Sequence, residues 1–326
     1  MNKRCVCLAV GSYAGLLVIA WVLARRLVVT PGLAARFPFA FCSFALLLAP
    51  LWFFGFGWGG WLRESLHSPS LRVLFSAGLG VPYLVFALPT GNFHIAYAVF
   101  VSASPLLLAA SLEFASDSIK SRWAQAGMQD AFVLTLLAAI YLFHLPAGAW
   151  PYPELSGLPK LFVADIALYL YIVVRKLEGI GYSFVPSRAA LLTGLREWIY
   201  FLPFGIGLGF AIGFVHFHAR LPGLTTAVTS VIVTFLLVAI PEELVFRGIV
   251  QNLLETRLGR NGALAVAAVL FGLAHFNKGA VFNWRYVLLA AIAGVFYGRA
   301  WRTRRQLLAA VITHTAVDVV WSLWFQ

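Results

Sequence analysis

Apolar blocks of about 16–22 residues recur along this chain between short polar connections, and nothing else in it so narrows the fold. A helix of that length rises about 1.5 Å per residue and crosses a hydrocarbon core of about 30 Å. Inside lipid the backbone must satisfy its own hydrogen bonds, so each block is expected as a helix. Candidate spans are read at about 5–24, 37–58, 73–89, 93–112, 131–149, 160–175, 198–217, 224–246, 262–276, 285–301 and 307–324, a count of nine to eleven. The expected fold class is all-α, a polytopic transmembrane helix bundle. Composition agrees: 61% of the 326 residues are hydrophobic and 11% charged, where soluble domains carry about 25% charged residues.

The net charge of +12 raises nucleic acid as a partner. The basic residues, however, fall in ones and twos between apolar blocks, without interleaved aromatics, so they mark topology and no nucleic acid is expected. With the N-terminus cytoplasmic, seventeen Lys and Arg fall on the inside and seven on the outside, Arg25, Arg26 and Arg36 being the misfits. The first block reads as a retained anchor and not a cleaved signal, because it is long and Arg25-Arg26 follow it. Cys5, Cys7 and Cys42 lie in apolar blocks without metal-type spacing and read as small packing residues. The chain divides into 1–177, helices of unassigned role, and 178–326. The latter opens with a Gly-rich, then basic and amphipathic stretch (178–197), expected as a surface-lying or re-entrant piece.

Ionisable groups inside membrane spans are costly and are functional candidates by default. Most of them cluster in the last third. Glu242, Glu243 and Arg247 occur in AIPEELVFRG, His275 closes AVAAVLFGLAH, and His314 and Asp318 lie in LLAAVITHTAVDVV. Glu243 and Arg247 are four apart with the acid first, the favourable orientation for a helical ion pair. Glu242 lies about 100° round the helix and is left to face something else. His314 and Asp318 share one helical face at the same spacing, where a carboxylate fixes an imidazole's tautomer. Phe271, one turn before His275, is expected to wall a pocket. Asp165, His144, His94 and Glu113 have no partner at helical spacing and read as packing or helix-end groups; His216 and His218 read as interfacial.

PEELVFRG, FGLAH and HTAVD resemble, in order, the three signatures of the CPBP intramembrane proteases, which include type II CAAX prenyl endopeptidases and bacteriocin-processing homologues. The likeness covers roughly 195–326. The stretch HFNKGAVFNWRYVLLAAIAGVFYGRAW further resembles bacterial, myxosortase-like branches associated with C-terminal protein sorting. The resemblance implies a glutamic-type endopeptidase in a bacterial inner membrane, acting on a membrane-anchored protein or peptide. It implies that Glu242 and His275 activate water, that Glu243 and Arg247 order the site, and that His314 stabilises the oxyanion. Asp318, where the pattern has Asn or Asp, cannot donate a hydrogen bond when ionised, so it is expected to orient His314. Glu242, His275, His314 and Asp318 also offer a zinc-type donor set; the glutamate mechanism needs no metal, and none is favoured. These groups are expected to converge around a polar cavity opening to the cytoplasmic leaflet. A proton-coupled transporter and a non-enzymatic scaffold or immunity protein are the competing functions.

Overall fold

The computed structural model describes residues 3–27, 29–114, 127–219, 221–278 and 282–325. Among them every regular element is helical and no strand occurs, so the chain is an all-α polytopic bundle. Among the described residues seven helices are long and apolar enough to cross a membrane: Arg4–Arg26, Phe37–Phe54, Pro69–Thr90, Ile95–Glu113, Pro153–Val174, Leu224–Leu273 and Leu307–Trp324. The difference from nine to eleven is local. Leu224–Leu273 holds two expected spans, turned at Gly259, whose φ of 66° and ψ of 174° leave helical space and suit a residue without Cβ. The block at 131–149 ends as a helix at Leu142, and Trp284–Arg304 is a full helix with a more polar composition.

Contacts divide the chain into two compact units, Met1–Glu178 and Gly179–Gln326. The first unit ties its helices with buried ion pairs. Arg72 grips Glu113 through two bonds, Nε to Oε2 at 2.9 Å and Nη2 to Oε1 at 2.6 Å, and its Nη1 donates to the Leu66 and His67 carbonyls. Arg175 pairs with Asp130 at 3.0 Å, and Asp130 also accepts from the Gly127 N–H ahead of its own helix. Glu113 is therefore not a lone helix-end group: its partner is 41 residues away. Asp165 is 2% exposed.

In the second unit the stretch at 178–197 leads into a helix with one buried face, at Ala190, Thr193, Gly194, Glu197 and Phe201. From Arg188, capped by Ser187, one helix runs on through a π-helical stretch at 203–208 to Ala211, taking in the start of the span expected from 198. Two features position the site. Residues 234–239 and 244–251 are wound as π-helix, a widened form that recurs where helices carry functional groups. On the Trp284–Arg304 helix, Gly294 and Gly298 let a neighbouring helix close in: a Cβ at Gly298 would stand 2.3 Å from Leu264 Cδ1. Small residues at such crossings let membrane helices pack, since lipid gives them no hydrophobic drive to associate.

Arg72, Arg175 and Arg247 are buried and so are not loop charges, which trims the inside tally from seventeen to fourteen against seven. Lys120, Arg122 and Arg220 of that tally lie outside the described residues.

Candidate active site

Pro241 sits within a continuous helix, and the next two residues, Glu242 and Glu243, point to different partners. Glu243 is fully buried, with Arg247 Nε 3.2 Å from its Oε2 and Nη1 bonded to its Oε1 at 3.3 Å. Arg247 spends its remaining nitrogen on the Gly294 carbonyl, at 3.0 Å. Its guanidinium also lies 4.4 Å from the Phe271 ring centroid and 5.2 Å from that of Tyr297. A buried charge is tolerable only when paired and hydrogen-bonded in this way. The other oxygen face of Glu243 reaches across 71 residues to His314, whose Nδ1 is 2.7 Å from Oε1.

His314 thus has a carboxylate at each ring nitrogen, for its Nε2 lies 3.3 Å from Asp318 Oδ2. A ring that donates from both nitrogens satisfies both acids. Tyr297 stacks on this ring, with centroids 4.6 Å apart and planes at 14°, and fixes its tilt. Asp318 is the most open member, its side chain 34% exposed.

His275 lies just past the end of the Leu224–Leu273 helix, beyond its break at Gly259. Its backbone N–H turns to Gly272 O at 3.0 Å, and its ring Nδ1 lies 2.8 Å from Phe271 O. A carbonyl oxygen only accepts, so Nδ1 carries the proton and donates it, and Nε2 of the neutral ring is bare. That bare nitrogen stands 4.0 Å from Glu242 Oε2, and His314 Nε2 stands 3.9 Å from the same oxygen. The Glu242 oxygen is the meeting point of both imidazoles, yet is directly bonded to neither. An acceptor nitrogen and a carboxylate oxygen about 4 Å apart leave room for a water that donates to both, each bond about 2.8 Å long.

The structure therefore brings Glu242, Glu243, Arg247, Phe271, His275, His314 and Asp318 together. Phe271 does more than wall a pocket: it touches the Arg247 guanidinium and both imidazoles. Sequence reasoning missed Tyr286, whose ring is 5.1 Å from that of His275, and Tyr297. They are eleven residues apart, three helical turns, so they share a face. Two polar-tipped aromatics at that spacing in an apolar helix were the available signal.

A cavity of about 790 Å³, counting its open mouth, lies against Phe271, His275, Tyr286, Tyr297, His314 and Asp318. Zinc needs donors about 2.0–2.2 Å from the ion, with the second imidazole nitrogen handing its proton to another partner. Among the described residues no group of three or more His, Cys, Asp or Glu is arranged to hold a metal ion. His314 already spends both nitrogens on acids.

Residues 222–320 match the family model Rce1-like, described as Type II CAAX prenyl endopeptidase Rce1-like. No curated protein and no solved structure matches the chain. The matched segment contains the seven residues named above and excludes the first unit.

Proposed function

We propose, from the premise that residues 222–320 belong to the Rce1-like family of intramembrane endopeptidases, that the protein hydrolyses a peptide bond in a membrane-associated segment or C-terminal tail. The observation carrying this reading is the Glu242 carboxylate held about 4 Å from two imidazole nitrogens beside a cavity. Glu242 takes a proton from water, His275 Nε2 accepts the water's second hydrogen bond, and the oxygen adds to the substrate carbonyl carbon. The carbonyl oxygen becomes an oxyanion, and His314 Nε2–H turns to it from Asp318. Glu242 then returns the proton to the leaving nitrogen as the C–N bond breaks, giving a carboxylic acid, which then ionises, and an amine, which takes up that proton. Asp318 positions His314, while Glu243 and Arg247 hold the ring from behind.

The reading needs no metal, and activity that survives chelation supports it. On the same reading the protein belongs in a bacterial inner membrane with its N-terminus cytoplasmic, takes a membrane-anchored protein or peptide as substrate, and sits with the C-terminal-sorting, myxosortase-like branch. The decisive experiment is Glu242→Gln, purified in detergent and assayed against a library of membrane-tail peptides. Cleavage should fall by about three orders of magnitude, the weight of a lost acid–base group, with an unchanged melting profile. Full activity in that variant sinks the assignment.

A further inference from the structure

The active-site cavity has a sealed end and an open one. On one side of Glu242 and His314 packing is complete: Glu243, Arg247, Gln251, Trp301 and Leu307 are each 0% exposed. Bonds close this layer, with Trp301 Nε1 donating to Ile180 O at 2.9 Å and Leu307 N to Gly181 O at 2.9 Å. On the other side burial lapses. The Leu307–Trp324 helix is buried at Thr313, His314 and Thr315 and partly exposed at every position from 316 to 325. The cavity follows that change along Val317, Val320, Trp321 and Phe325, facing Phe214 and Tyr286.

Arginine marks the sealed end. Arg305 bonds Asn252 and Glu255 there, and Arg302 bonds Asn261. Arg304 lies in the same final turn, Arg257 and Arg260 flank the Gly259 break, and Arg188 opens its helix. At the open end the described residues supply Lys278 and Arg285. Short connections rich in Lys and Arg stay on the cytoplasmic side.

We infer that the cavity opens to the extracytoplasmic leaflet, and that the substrate is a membrane-anchored segment whose apolar or aromatic stretch enters from that side. What enters rests on the proposed hydrolysis; the direction of the cavity does not. This reverses the cytoplasmic opening expected from the sequence. That expectation ended the span at 246, next to Glu242. The helix in fact continues past Asn252, so Glu242 sits ten residues, about 15 Å, from the arginine level.

The test is thiol labelling in the full chain after Cys5, Cys7 and Cys42 are changed to serine. Single cysteines are placed by Val320→Cys in the cavity, His218→Cys at the open end and Thr303→Cys at the sealed end. A membrane-impermeant maleimide should modify the first two in right-side-out vesicles and the third only in inverted vesicles. The opposite pattern, or a cavity thiol reached from neither face, overturns the inference. Should Val320→Cys fail to fold, Val317→Cys reports on the same wall. Because labelling needs no cleavage, a Glu242→Gln variant that stays active defeats the proposed chemistry and leaves this result intact.

Discussion

The two units bury charge in opposite ways. In Met1–Glu178, Arg72 with Glu113 and Arg175 with Asp130 form buried ion pairs, and Asp165 is buried singly with its Oδ1 unbonded. In Gly179–Gln326, Arg247 also has its acid, but that acid is shared with His314, and a second carboxylate, Glu242, faces two imidazoles across gaps no direct bond fills. The first arrangement holds helices together. The second has acceptors left over, directed at a cavity. Buried charge alone therefore says little about chemistry in a membrane protein, and so does one surplus acceptor such as Asp165; several surplus acceptors from different segments meeting beside a cavity say more.

That contrast can be broken experimentally. The largest effect is expected at the surplus group: Glu242→Gln should lose about 10³-fold in turnover, or about 4 kcal/mol of barrier, while melting with the parent. Next come the closed pairs. Arg72→Met strands Glu113 and should cost about 3–5 kcal/mol of stability, seen as a lower melting temperature, with turnover per folded molecule unchanged. Lost turnover without lost stability would make that pair functional and erase the distinction. Arg247→Met should do both, because it removes one of the two cationic partners of the buried Glu243 and the support behind the His314 ring; adding Glu243→Leu should recover much of the stability and none of the activity. A smaller change is expected for Asp318→Asn, about 10–100-fold in turnover, the usual weight of a partner that orients an imidazole. Measured by single-turnover cleavage, a value as large as that for Glu242→Gln would move Asp318 into direct contact with the reacting atoms. The smallest is Tyr297→Phe, which keeps the ring stacked on His314 and should alter stability by less than about 1 kcal/mol.

Local geometry explains what could be read in advance. Glu243–Arg247 and His314–Asp318 are four residues apart on helices, so spacing alone brought each pair within reach. Glu243 to His314 spans 71 residues and Arg72 to Glu113 spans 41; no periodicity encodes a partner on another helix. The two spans read at 224–246 and 262–276 fall on either side of the break at Gly259, so the longer count and the seven long helices describe the same segments. Tyr286 and Tyr297 were hidden by being hydrophobic enough to pass for packing.

At the end of the helix that closes on Leu273, the Phe271 carbonyl takes its hydrogen bond from the His275 ring, not from a backbone amide. Helix termini leave such carbonyls without intrahelical partners, so one bond finishes the helix and decides which imidazole nitrogen stays bare. Stability and reactivity are thereby wired to the same last turn. Warming that unravels this turn would scramble the tautomer first, and the protein would fall silent while the remainder of its bundle still stood.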